Sequence, residues 1–101
     1  MNTIHETGVF LEWFEKLQDV KGRARIAARL DSAKAGNFGD YKLLDDGIFE
    51  MRIDVGPGYR IYCAKEGLRL YLLISGGDKS SQKRDIAKAR QLWRAIKEER
   101  Q

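Results

Sequence analysis

Gly56-Pro57-Gly58-Tyr59-Arg60-Ile61-Tyr62, read with Gly76-Gly77-Asp78-Lys79-Ser80, decides how this chain is organised. The first segment lies between two alternating runs and reads as strand–turn–strand. It sets Arg60 opposite the cationic end of Glu50-Met51-Arg52. The second segment brings Lys79 in at the mouth of the last helix. Together they make a small basic site on a sheet, a place for a phosphate backbone to lie. RNA is therefore the leading expected partner.

Pairing Val55 with Tyr59 around the glycine–proline–glycine turn puts Asp54 opposite Arg60 and Arg52 opposite Tyr62. Such pairs stand about 5 Å apart at Cβ. Arg52, Arg60 and Tyr62 then share the open face. Arg69 and Tyr71 on the next strand have the same parity and widen the patch. A one-residue slip would turn every side chain over, and the apolar Met51, Ile53, Ile61 and Cys63 oppose one. Lys79 follows two glycines, which allow tight turning and close approach of a partner's backbone. Lys83, Arg84 and Lys88 lie on the first turns of the last helix. The plainer reading is that Arg52 and Arg60 pair with Glu50 and Asp54, the helical cations are solvated, and Tyr62 and Tyr71 cover the sheet.

Outward from this corner, the pattern assigns the remaining elements. Thr3 to Glu6 reads as a short edge strand. Phe10, Trp13, Phe14 and Leu17 form one stripe of a helix, which Lys21-Gly22 breaks. Ile26, Leu30 and Ala33 form the stripe of a second helix, ended by Gly36-Asn37-Phe38-Gly39-Asp40, and the two fit a helical hairpin. Tyr41 to Leu44 is a short strand before the hairpin turn Asp45-Asp46-Gly47. Ile48 to Val55, Tyr59 to Ala64 and Leu68 to Ser75 alternate at period two, with a turn at Lys65-Glu66-Gly67. Such alternation implies one buried and one open face. Ile86, Ala89, Trp93 and Ile96 then mark a last helix, with Ser80 or Ser81 as its cap. The order predicts an α+β domain with a meander sheet.

At 101 residues the chain is one domain, 1–101. Charged residues make up 34% and hydrophobic residues 43%, which excludes a disordered chain. No run approaches the roughly 20 apolar residues of a membrane span, and Met1 to Phe10 lacks a signal pattern. Cys63 has no possible internal disulfide partner and reads as a buried, inert thiol. These features suit a reducing cytoplasm. Seven basic residues face nine acidic ones in 1–50, against twelve and six in 51–101. The basic second half points to an anionic partner. No cluster has metal-ligand spacing, so neither metal nor cofactor is expected. Gly77-Asp78-Lys79-Ser80 is not a phosphate-binding P-loop. His5 reads as a strand-surface residue, and Trp13 and Trp93 as core.

Glu50-Met51-Arg52-Ile53, Gly58-Tyr59-Arg60-Ile61-Tyr62 and Leu73-Ile74-Ser75-Gly76-Gly77-Asp78-Lys79-Ser80 resemble the strand signatures of RelE/ParE-superfamily toxins, closest to the HigB-like addiction-module-killer branch. The resemblance covers nearly the whole chain. It implies a RelE-like α+β fold: a two-helix hairpin packed on a curved antiparallel meander sheet of three to five strands, with a C-terminal helix. It also implies a bacterial type II toxin neutralised by a cognate antitoxin, often a helix-turn-helix DNA-binding protein. Operator DNA is then met only through that antitoxin. RelE-like members cleave mRNA in the ribosomal A site, so ribosome and mRNA are the implied targets. By position, Arg52, Arg60 and Lys79 match the family's basic residues. Glu50 stands where a RelE protein can have lysine. The late region lacks the tyrosine or histidines that some members use, and Asp85 lies there instead.

This resemblance implies a metal-independent endoribonuclease, an mRNA interferase in which the 2′-OH attacks its adjacent phosphate. Arg60 takes the role of stabilising phosphorane charge with Arg52 assisting, because the guanidinium fork suits phosphate. Lys79 stabilises charge or protonates the leaving oxygen. Tyr62 and Tyr71 stack on bases, and Arg69, Lys83 and Arg84 extend RNA binding. No base stands out. Two rival expectations use the same fold: a ParE-like, non-enzymatic gyrase inhibitor, and a binding module acting with its antitoxin in operon repression.

Overall fold

The computed structural model describes residues 1–100. Chain order is β1 (Thr3–Glu6), α1 (Gly8–Lys16), α2 (Val20–Lys34), β2 (Tyr41–Leu43), β3 (Ile48–Ile53), β4 (Tyr59–Gly67), β5 (Leu70–Asp78), a 3-10 turn at Lys79–Ser81 and α3 (Gln82–Glu99). This is an α+β domain with one five-stranded sheet, ordered β1-β5-β4-β3-β2. Strands β2 to β5 form the expected antiparallel meander. Strand β1 instead pairs in parallel with β5, Thr3 opposite Leu70, so the sheet is mixed. Parallel neighbours need a long crossover, and the whole chain from α1 to β4 supplies it.

The first helices form where the apolar stripes place them, but the break between them falls earlier. Helix α1 starts at Thr7, whose hydroxyl accepts from the Phe10 N–H and donates to the Ile74 carbonyl. It ends at Leu17, and Asp19 caps α2 by accepting from the Gly22 N–H. Gly22 is therefore inside α2. A Cβ there would sit 2.5 Å from the Tyr59 ring and 2.7 Å from the Asp19 carboxylate. Its glycine allows helix and sheet to approach rather than ending a helix.

Phe10, Ile26, Leu30 and Ala33 pack on Met51, Ile53, Tyr59, Ile61, Cys63 and Leu73 on one face of the sheet. The other face is covered as well. Ala89 and Trp93 of α3, flanked by Ile86, Leu92 and Ile96, pack on Ile48, Tyr62, Ala64, Leu72 and Ile74. The alternation in β3 and β4 thus separates two covered faces, not a buried face from an open one. Polar residues of α3 hold its position: Arg90 pairs with Asp45, and Arg94 and Lys97 with Asp46. The Trp93 indole donates to the Asp46 carbonyl. Arg100 pairs with Glu66.

Strand details correct four expectations. Tyr59 pairs with Ile53 rather than Val55, so Arg52 lies directly opposite Arg60 and Glu50 opposite Tyr62. The loop is longer than a tight turn, since Ile53 and Tyr59 are the last pair and 54–58 lie between them, and Gly56 and Gly58 both take positive φ there, 56° and 80°. An even shift preserves parity, so each side chain keeps its face. Strand β4 runs on to Gly67, and the next turn is Leu68-Arg69. A bulge shifts the β4–β5 register between Tyr62 and Cys63 and turns the residues of β5 on either side of it to opposite parities. Gly76 and Gly77 belong to β5, where strand glycines mark close approach. A Cβ on Gly76 would meet the Trp13 ring at 2.3 Å, and one on Gly77 the Asp85 carboxylate at 2.0 Å. Ser81 stands at the N-cap of α3 as expected, without a side-chain bond to the helix backbone, and Asp78 caps the preceding 3-10 turn by accepting from the Ser80 N–H and hydroxyl. No helix among the described residues is long and apolar enough to cross a membrane.

Candidate functional site

Register fixes a grid of side chains beneath the start of α3. Glu50, Tyr62 and Ser75 form one row across β3, β4 and β5; Arg52, Arg60 and Gly77 form the next. Glu50 is fully buried and is the hub. Its Oε1 accepts from Arg52 Nε at 3.0 Å and lies 3.9 Å from Arg60 Nε. Its Oε2 accepts from Gln82 Nε2 at 2.9 Å. A carboxylate under a helix is stable only if paired and hydrogen-bonded, and two arginines and an amide meet that demand. Arg60, 5% exposed, also donates from Nη1 to the Tyr59 carbonyl. Asp54 stands 3.7 Å from the same nitrogen.

Lys79 joins this cluster at Gly58. Its N–H donates to the Gly58 carbonyl at 2.8 Å. Arg60 Nη1 and Lys79 Cδ both come within 3.7 Å of the point where a Cβ on Gly58 would lie. The absent side chain lets the lysine stem cross the corner beside the guanidinium. Lys79 itself is exposed, and Arg52 retains about a third of its side-chain exposure. The corner therefore presents Lys79 and the outer part of Arg52 to solvent, with Arg60 beneath. This arrangement can hold an anion. At the corner Glu50 uses both oxygens, burial, with Glu50 and Asp85 nearby, pushes the Tyr62 phenol up, and Asp54 is the exposed carboxylate beside Arg60. Cys63 is raised by burial and is inert.

An uncharacterized protein of Haemophilus influenzae (strain ATCC 51907 / DSM 11121 / KW20 / Rd) is 46% identical to this chain over 89 residues, covering 88% of the chain and 90% of that protein. The chain belongs to the family of that protein. No family model and no solved structure matches it.

The structure brings together Arg52, Arg60 and Lys79, seals Tyr62 beneath them, and does not bring Tyr71 or Arg69 to them. Tyr62 has no exposed surface and its hydroxyl lies buried without a hydrogen-bond partner, so its ring is closed to a stacking base. Tyr71 faces the opposite side, 4.7 Å from Phe38 and 6.1 Å from Phe49 between ring centroids. The bulge causes this reversal of parity. Arg69 is exposed in the β4–β5 turn, eight positions before Gly77, roughly 26 Å at the usual rise. Lys83 and Arg84 are exposed on the first turn of α3. The plainer reading, Arg52 and Arg60 paired with Glu50 and Asp54, matches the ion pairs of the structure; what it missed is that Glu50 is buried under α3 and bonded by Gln82. Lys42, exposed opposite Glu50 on the same face, was missed too; its alternation with Tyr41 and Leu43 was the available signal.

Proposed function

We propose that this chain is a RelE/ParE-like toxin whose Gly58 corner binds the phosphate backbone of RNA, and that it cleaves mRNA on the ribosome. The observation that carries this reading is the convergence of Arg52, Arg60 and Lys79 at one end of the sheet. The resemblance described above supplies the reaction. In it the 2′-oxygen bonds to phosphorus and the bond to the 5′ oxygen breaks. A cyclic phosphate and a free 5′ hydroxyl result. Lys79 and the outer part of Arg52 hold the phosphate, and Arg60 adds positive charge from below. The ribosome provides the proton acceptor. Lys83 and Arg84 continue the basic surface. A cognate antitoxin is the regulating partner.

One observation favours the ParE-like alternative. Both oxygens of Glu50 are engaged and Tyr62 is sealed, and an inhibitor that only docks needs no base. Expression in bacterial cells followed by mapping of mRNA 5′ ends separates the two. Lys79→Ala is the variant to compare, since Arg60 is buried in an ion pair and its loss also disturbs the fold. Cuts within translated frames, lost in Lys79→Ala, support cleavage. A DNA-damage response with intact mRNA supports gyrase inhibition. Unimpaired growth with neither signal refutes both.

A further inference from the structure

The other end of the sheet carries a feature that the RNA reading does not use. Strand β2 closes the sheet at one edge. Bonds from the Leu44 N–H to the Ile48 carbonyl and from the Arg52 N–H to the Asp40 carbonyl fix the alternation of the β2–β3 ladder. In an antiparallel pair only every second residue bonds across. Lys42 therefore directs its backbone groups at β3, and those of Tyr41 and Leu43 point to the open edge. A bare row of this kind is a template for another strand.

The same two residues are the exposed wall of an apolar cleft. Tyr41 is 49% and Leu43 73% exposed. With Phe38, Phe49, Tyr71 and Lys65 they line a space of about 290 Å³. Phe38 anchors it, its ring centroid 5.1 Å from that of Phe49 and 6.4 Å from that of Tyr41. Free backbone groups and an apolar cleft thus coincide on one three-residue strand.

We propose that β2 docks an extended segment of another protein carrying an acidic residue between two apolar ones. Charge selects this occupant. Among the described residues neither Lys42 nor Lys65 is ion-paired. An added antiparallel strand sends alternate side chains to opposite faces. The two residues bonded to Tyr41 and Leu43 enter the cleft, and the one between them lies beside Lys42. A second copy of this chain fits badly, because two β2 strands paired about a twofold axis place Lys42 against Lys42, and like charges opposite one another are unfavourable. The main-chain bonds supply affinity and the alternate pockets specificity. The cleft lies on the α1–α2 face, away from the cations of the Gly58 corner on the α3 face. Lys42 shares that second face, opposite Glu50, so Leu43→Ser, which alters only the cleft, tests the proposal apart from the RNA reading.

The test uses the full chain, a capped peptide Thr-Ile-Glu-Ile-Thr and its counterpart with Lys in place of Glu, followed by amide chemical shifts. The acidic peptide is expected to shift residues 40–44, 65 and 71, and to bind about fivefold more tightly than the basic one. Lys42→Gln removes that preference. Leu43→Ser, an exposed change, abolishes binding while the melting temperature stays unchanged. Shifts centred elsewhere, equal binding of both peptides to the wild type, or sedimentation showing a dimer that Leu43→Ser dissolves would each overturn the proposal.

Discussion

The two faces of the sheet are built from different materials. Under α1 and α2 the core contact is apolar, Phe10, Ile26, Leu30 and Ala33 against Met51, Ile53 and Ile61, all nine-tenths buried or more, with polar contacts where Asp19 meets Tyr59 and Arg29 the Arg52 carbonyl. Under α3 apolar contact fills one end, through Ala89 and Trp93, while Glu50, Arg60 and Ser75 occupy the other. Helix α3 adds ion pairs with the Asp45-Asp46 turn to that apolar contact. Exposed pairs of this type contribute about 0–1 kcal/mol each. The first face makes the fold; the second carries charge at modest cost. Polar groups are tolerated beside α3 because the apolar face opposite already supplies the driving force.

The most damaging change should therefore fall on the first face. Phe10→Ala removes a fully buried ring that stacks 5.9 Å from Phe14 and tilts against Trp13. It is expected to cost about 3–5 kcal/mol, a large part of the roughly 5–15 kcal/mol that holds a domain of this size together. Urea unfolding measures it. A midpoint close to that of the wild type would show that the two faces contribute alike.

Glu50→Ala tests the second face and should rank next, at about 3 kcal/mol, because it leaves Arg60 buried with its main partner gone. The double change Glu50→Leu with Arg60→Met should recover most of that loss, since replacing a buried pair by apolar groups is often neutral. Failure of the double variant to recover would mean that Glu50 organises α3 through Gln82 rather than merely answering the charge of Arg60.

These two residues also mark what a reader of the sequence sees and misses. Phe10 is legible because it opens a helical stripe, and its partners Met51, Ile53 and Ile61 are legible from period two. Glu50 is not. Its alternation with Met51 was right, but period two identifies faces without saying what covers each. The cover is α3, whose own stripe of Ile86, Ala89, Trp93 and Ile96 was visible yet was not assigned to that face. Tyr71 was misplaced for another reason: a bulge inverts parity, and one extra residue leaves no mark in an alternating run of leucines and isoleucines. The shared face of Arg52 and Arg60 survived a wrong register, which had set Asp54 opposite Arg60, because the error was two residues, an even number. Gly76 and Gly77 were read as a turn because sequence cannot show Trp13 and Asp85 pressing on them.

A smaller effect sharpens the comparison at the seam between α2 and the sheet. The Tyr59 hydroxyl donates to Asp19 at 2.7 Å. That bond, with burial, pushes the phenol up to about 12 and holds the Asp19 carboxyl below its ordinary range. A tyrosine raised in the folded state stabilises below its unfolded value of about 10, and that contribution is lost as pH rises through about 12. Asp19, being lowered, contributes above about pH 4 and loses its share as pH falls. Tyr59→Phe should cost about 1 kcal/mol at neutral pH and flatten the fall in stability between pH 10 and 12. An unchanged alkaline slope in the variant would place that titration elsewhere.

The smallest expected effect on stability carries the largest expected effect on binding. Lys79 is exposed and touches the fold mainly through its backbone N–H, which any residue but proline retains. Lys79→Ala should change stability by no more than about 0.5 kcal/mol. At the corner it removes one of the two cations that reach solvent. Single-stranded RNA binding measured over a series of salt concentrations should weaken at every salt tested, and the slope of log affinity against log salt should fall by about 1. Lys65→Ala, at the opposite end of the sheet beside the β2 cleft, is exposed to a similar degree and should leave that slope unchanged. Equal losses in the two variants would mean that the basic half of the chain acts as a diffuse field, and that the convergence of residues 52, 60 and 79 has no special part in recognition.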